Sequence, residues 1–189
     1  MAGDTAVERL LPGGRVKPGH DERGWAAVMD NRLRIRRAIS GDAALVLKFI
    51  RDLAVYEELL HEVRASEADI AAQLFGPTPK AFAEIAEWEG RPVGFALWFF
   101  NFSTFAGRPG IYLEDLFVDP GLRGKGIGKA LLAHLARLAL TEDCCMVQWW
   151  VLNWNKPSIA FYEGIGAKPK DEWTVYRLSG EAMEALARS

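Results

Sequence analysis

The chain has 189 residues, half of them hydrophobic, which is enough for one domain with a substantial core and too few for a second of full size. A formal net charge of −2 with the two signs interspersed offers nothing to nucleic acid or to a membrane surface. Charges and turn residues interrupt the apolar stretches well before 18 positions, which excludes a transmembrane helix, and with no signal-peptide h-region near Met1 a cytoplasmic protein is expected.

Residues 1 to 31 carry Gly13-Gly14, Pro18-Gly19 and scattered charges without periodicity. They are expected to be a disordered extension, or translated upstream sequence if Met29 is the natural start. From residue 32 to 189 a single domain is expected. It opens with an alternating strand from Leu33 to Ala38, followed by Ser40 as the cap of a long amphipathic helix through about Leu60. Ser66-x-x-Asp69 reads as the capping box of a second helix ending before Gly76-Pro77. Strands at about 81 to 88 and 92 to 102 flank the turn Glu89-Gly90 as a hairpin, and a further strand covers 111 to 118. A helix follows from about 126 to 140.

Cys144 to Leu152 is a near-continuous apolar run, too short for a buried helix, and is expected to form a central strand covered on both faces. Pro157 favours the first turn of the next helix, which runs past Phe161 and Tyr162 to a stop at Gly164 or Gly166. Trp173 to Leu178 is expected as the last strand and Glu181 to Arg188 as a terminal helix. This order describes an α/β (α+β) domain, a mixed, mostly antiparallel twisted sheet with helices on both faces. Cys144 and Cys145 are sequence neighbours, so they supply neither spaced metal ligands nor an unstrained staple; two buried free thiols and no metal are expected.

The turn between the strand at 111 to 118 and its following helix is where chemistry concentrates. Gly124, Gly126 and Gly128 let backbone N–H groups approach an anion, and the helix start adds free N–H groups and the positive end of its dipole. Arg123, Lys125 and Lys129 add formal charge, and Ile127 completes the turn. A P-loop would need Gly-Lys-Ser/Thr, and a dinucleotide fingerprint a glycine where Lys129 stands, so both fail. What matches is Arg123-x-x-Gly126-x-Gly128 after a Leu-Glu-Asp strand, with Pro157-Ser158-x-x-x-Tyr162 beginning 29 residues beyond Gly128. In this the chain resembles the GNAT N-acetyltransferases. Tyr56-Glu57, Val93-Gly94-Phe95-Ala96, Tyr112-Leu113-Glu114-Asp115 and Trp154-Asn155-x-Pro157-Ser158-x-x-Phe161-Tyr162-x-x-x-Gly166-Ala167 resemble the diamine branch, the spermidine/spermine and thialysine acetyltransferases.

The resemblance implies acetyl-CoA as co-substrate, with its diphosphate on the Arg123–Lys129 turn. The backbone of Leu116, Phe117 and Val118 would line the pantetheine arm, and Asn155, Lys156, Pro157 and Ser158 would close its other side; Asn155 also suits an N-cap. Acetyl transfer to an amine needs a neutral nitrogen, and an alkylamine with a pKa of about 10.4 is neutral in only about one molecule in 2,500 at pH 7. Glu114 is the candidate base, directly or through water. Asp115 is expected on the opposite face of the strand unless a bulge intervenes. Tyr162 is the candidate acid for the departing thiolate, since a phenol of pKa about 10 stays protonated at neutral pH. Neither cysteine lies near the turn in sequence, so direct attack in a ternary complex is expected.

For the acceptor, the resemblance points to Tyr56, Glu57 and Glu114, with Gln148, Trp149 and Trp150 near the amine. Large aromatics suit a methylene chain, and carboxylates suit ammonium ends. The loop Asn101 to Arg108 lacks the Asp-Pro-Trp of polyamine enzymes, which favours a small amine bearing a carboxylate, such as thialysine or a lysine-like amino acid, with Arg108 as one possible partner for that carboxylate. A silent CoA-binding regulatory module and an acetyltransferase with a protein acceptor are the competing readings. The resemblance further implies a homodimer, with contacts exchanged through the terminal region.

Overall fold

The structure is a computed structural model and describes residues 32–189, which form one compact unit. The extension expected over residues 1 to 31 lies outside the described residues. The elements are β1 (Leu33–Arg37), α1 (Ala43–Tyr56), α2 (Glu67–Phe75), β2 (Phe82–Trp88), β3 (Arg91–Ser103), β4 (Arg108–Val118), α3 (Ile127–Thr141), β5 (Val147–Gln148), α4 (Lys156–Gly164) and α5 (Gly180–Ala187).

Local chemistry accounts for most boundaries. Ser66 and Asp69 cap α2 reciprocally: the Asp69 N–H donates to Ser66 Oγ at 3.2 Å, and the Ser66 N–H to Asp69 Oδ2 at 2.9 Å. Glu89 and Gly90 both take left-handed φ values, 52° and 78°, as the tight hairpin between β2 and β3 demands. The first helix departs from expectation at both ends. Asp42, not Ser40, holds its N-cap position without a side-chain bond to the helix, and its carboxylate instead accepts the Ile39 N–H of the preceding turn at 2.8 Å. It stops at Tyr56 because Glu58 is left-handed (φ 63°), and the Leu59 N–H returns to the Ala54 carbonyl at 2.8 Å in a Schellman close. A glutamate at the position glycine usually holds gives no stop signal in the sequence.

The sheet order is β1-β2-β3-β4-β5, antiparallel through β4, with β5 returning parallel to β4 by way of α3. Each face carries its own core. Trp98, Ile111 and Leu113 pack with Ile127, Leu131 and Leu135 of α3. On the other face Phe95, Leu97 and Phe117 pack with Val46 and Phe49 of α1 and Ile70 of α2. Helices therefore cover both faces of a mixed sheet, as expected. Among the described residues no helix is long and apolar enough to cross a membrane.

Three expectations are corrected. Cys144 to Leu152 is not a doubly covered central strand: only Val147 and Gln148 pair with β4, at the sheet's edge, and its aromatics spend their area on tyrosines. Cys144 is buried but Cys145 is exposed. Trp173 to Leu178 forms no strand and pairs with none of the described strands, and Trp173 and Tyr176 are 68% and 92% exposed.

Candidate active site

β4 pairs with β5 only at Ile111–Val147 and Tyr112–Gln148, and beyond that the two strands part. At the far end of β4, Asp119 Oδ1 accepts the Gly121 N–H at 2.9 Å and turns the chain towards α3. Gly124 and Gly126 then take φ values of 77° and 80°, a conformation that side chains resist. Among the described residues, the six consecutive N–H groups from Gly124 to Lys129 donate to no protein acceptor; the first to do so is Ala130, to the Gly126 carbonyl. Such a run of unsatisfied donors at a helix start is an anion-binding concavity.

The side chains of this turn divide. Ile127 is buried in the core, so only its backbone faces the turn. Gly124 and Lys129 are exposed, and Lys125 holds its ammonium 5.3 Å above the Trp88 ring. Arg123 bends back: its Nε donates to the Val118 carbonyl at 3.2 Å and its guanidinium lies 4.5 Å over the Tyr56 ring. Gly128 lies inside α3, where an added Cβ would meet Phe161 and Val118 at ordinary distances, so packing rather than backbone conformation describes it.

Tyr56, at the end of α1, joins this turn to α4. Its hydroxyl donates to Asn155 Oδ1 at 3.1 Å, and the same oxygen accepts the Ser158 N–H at 3.4 Å as the helix cap. Asn155 is buried, Ser158 half-buried, and Lys156 and Pro157 exposed. One turn further on, Tyr162 packs against Trp149 at 5.0 Å and Phe161 at 5.3 Å. Burial, reinforced by the charge of Glu57, pushes its phenol up to about 12.

The carboxylates are set by a β-bulge. Leu97 faces Asp115 and its neighbour Trp98 faces Leu113, so Glu114 is the extra residue on β4. Before the bulge Leu113 points to the α3 side; after it Phe117 points to the α1 side, and Asp115 shares that parity. A bulge is the stated exception to Asp115 lying opposite Glu114, and it applies: the inserted residue brings both to the α1 side. Asp115 is pushed up to about 7, by burial first and then by Glu114 and Glu57. Glu57 is also raised by burial, and Tyr112 reaches about 12 through burial and the charge of Glu114. Glu57, Glu114, Asp115, Tyr112 and Tyr162 thus belong to one electrostatically linked group.

The remaining expected acceptor residues fall around it. Gln148 pairs with Tyr112 and is exposed; Trp150 stands edge-on to Tyr112 at 5.6 Å and is half-exposed. Arg108 is held elsewhere: it pairs with Asp143, with its Nε donating to the Asp143 carbonyl at 3.0 Å at the opposite end of β4. Two residues of the group, Asp115 and Tyr112, escaped the sequence reading as site residues, as did Trp154 beside it, whose ring lies 6.0 Å from Tyr56. Two adjacent acids inside an apolar strand were the signal for the first.

Comparison with known proteins agrees with this geometry. Residues 47–167, more than half of the chain, match the Acetyltransferase (GNAT) family. A thialysine N-epsilon-acetyltransferase of Bos taurus is 41% identical over 164 residues, covering 81% of this chain and 96% of its own. An L-ornithine N5-acetyltransferase of Arabidopsis thaliana is 29% identical over 81% of this chain and 87% of its own. Among solved structures, an integron cassette protein from the mobile metagenome of V. cholerae superposes with a TM-score of 0.71 at 30% identity, over 84% of this chain and 99% of its own. The chain belongs to the GNAT acetyltransferase family and is an N-acetyltransferase.

Proposed function

We propose that this enzyme moves an acetyl group from acetyl-CoA to the primary amine of a small molecule, a thialysine- or lysine-like amino acid in preference to a polyamine, by direct attack in a ternary complex. The observation that carries the reading is the run of six unbonded N–H groups at Gly124 to Lys129, set beside the parting of β4 from β5. The run suits a diphosphate, with Arg123, Lys125 and Lys129 around it. The gap suits a pantetheine arm along Leu116, Phe117 and Val118 on one side and Asn155, Lys156, Pro157 and Ser158 on the other.

Bound there, acetyl-CoA supplies an activated acetyl thioester. Tyr162 holds its proton throughout the neutral range and donates it, or a hydrogen bond, to the sulfur that leaves. Glu114 serves the path by which the amine loses its proton to water. Tyr56, Glu57, Gln148, Trp149 and Trp150 surround the acceptor: the aromatics give its methylene chain an apolar wall and the carboxylates attract its ammonium. Relatives named for thialysine and L-ornithine acetylation, and a 101–108 loop without an added carboxylate, favour an amino acid acceptor.

The domain is residues 32–189, with 1–31 an extension outside it, and the working form is a cytoplasmic homodimer. The support for a dimer is the apolar segment Trp173, Val175, Tyr176 and Leu178, all more than half exposed, in a chain whose β5 edge is unpaired among the described residues. The test is thiol release from acetyl-CoA with thialysine, lysine, ornithine, putrescine, spermidine, spermine and a short peptide. Selective turnover of an amino acid is the expected result. Turnover of the peptide alone, or CoA binding with no turnover, would overturn it.

A further inference from the structure

Three carboxylates from two elements act on one another at the acceptor side of the site: Glu57 at the end of α1, and Glu114 with Asp115 at the bulge of β4. Among the described residues, none of the three receives a hydrogen bond or an ion pair. Among the described residues, the phenols of Tyr112 on β4 and Tyr162 on α4 lie within their electrostatic reach, and Arg123 is engaged with the Val118 carbonyl and the Tyr56 ring. Such a group favours the arrival of positive charge, which a proton or an alkylammonium can supply.

The three differ in access. Glu114 is exposed at the bulge, whereas Asp115 is half-buried, and among the described residues no donor reaches it. We propose that Asp115 is the group that takes the proton from the acceptor ammonium, and that Glu114, one residue away on the solvent side of the bulge, passes that proton to water. Burial and like charge favour the proposal in the same direction, because they hold the Asp115 carboxyl near 7, where an acceptor is strong enough to draw on an ammonium yet still ionised in half the molecules at neutral pH.

The inference rests on the acetyl-transfer reading. Its proton balance is as follows. The ammonium gives one proton to Asp115, and the neutral nitrogen forms the C–N bond as the C–S bond breaks. The second proton that the nitrogen loses as the C–N bond forms restores the Tyr162 phenol, which has given its own to the thiolate, so one proton in all reaches water through Glu114.

The test is the pH dependence of kcat/KM for thialysine with acetyl-CoA between pH 5 and 9, in wild type, Asp115→Asn, Glu114→Gln and Glu57→Gln. Wild type is expected to rise through an acid limb near 7. Asp115→Asn should lose the limb and on the order of 100-fold in rate at pH 7.5 while binding CoA as wild type does, which shows it folded. Glu114→Gln and Glu57→Gln should keep the limb but move it to lower pH, since each removes a negative neighbour. A limb that survives Asp115→Asn and vanishes in Glu114→Gln would overturn the proposal while leaving acetyl transfer standing. Wild type silent towards every amine would sink the acetyl-transfer reading and this role with it. Side-chain 13C titration of the free protein gives an answer independent of turnover: Asp115 titrating in the ordinary carboxylate range would refute the proposal.

Discussion

The Tyr56 hydroxyl donates to Asn155 Oδ1 at 3.1 Å, tying the end of α1 to the cap of α4 across 99 positions of sequence. The same tyrosine carries the Arg123 guanidinium on its ring, so one side chain spans the acceptor helix, the anion-binding turn and the helix of Tyr162. Tyr56→Phe keeps the ring and the Arg123 contact but leaves Asn155 Oδ1 with only the 3.4 Å bond from Ser158. We expect a loss of about 1 kcal/mol in stability, read by denaturant unfolding, and a larger relative loss in kcat/KM than in CoA affinity.

Tyr162→Phe should lower kcat by on the order of 10² or more without weakening CoA binding, measured by single-turnover thiol release. The pH profile carries a second check. With its phenol pushed up to about 12, Tyr162 keeps its proton below that value, so wild type should show no alkaline limb from this group up to about pH 11. A limb near 10 that disappears in the phenylalanine variant would contradict the placement.

Lys125→Ala with Lys129→Ala should weaken CoA binding by roughly tenfold at low salt, the difference shrinking as salt is raised, because the lost contribution is charge on an exposed anion site. Titration calorimetry at two ionic strengths reads both effects. Unchanged affinity would move the diphosphate away from this turn.

Asp42 is held below the usual carboxylate range, chiefly by the Arg36 guanidinium, which also binds Glu87. A lowered folded pKa means stability that is present above the unfolded value and lost as pH falls through the folded one. Asp42→Asn should therefore destabilise the protein by about 2 kcal/mol at pH 7, and the gap to wild type should close as the pH is taken below about 4. Thermal melts across pH 3 to 7 test the sign.

Tyr176→Lys with Trp173→Lys should convert a dimer to a monomer in sedimentation velocity, since the two residues are the most exposed apolar groups of the terminal segment. A wild type already monomeric at tens of micromolar would remove the dimer from the proposal.

What could be read from the sequence was local. The Ser66–Asp69 box, the Glu89-Gly90 turn and the Gly124–Gly126 turn each depend on residues within four positions of one another, and each stands where the letters place it. The exceptions depend on partners far away. Whether Asp115 faces α1 or α3 is decided by an extra residue relative to Leu97 and Trp98, which no periodicity in β4 alone records. Glu58 stops α1 in a conformation that favours glycine, so the helix seemed to continue. Trp173 to Leu178 has the aromatic and β-branched content of a strand, but among the described residues it pairs with none.

The parting of β4 from β5 after Tyr112–Gln148 has a thermodynamic consequence. From Leu113 to Phe117, β4 is hydrogen-bonded on one flank by β3, while its other flank has no paired strand among the described residues. A pantetheine arm lying there would act as a rung of the ladder as well as a reactant. Ligand and fold would then share a free energy: at a hundred times its Kd, a species binding only the folded state adds about 2.7 kcal/mol to its stability. Turnover itself would lower and raise the melting point of the sheet with each cycle of release and reloading, and the amides of β4 would record the occupancy by their hydrogen exchange.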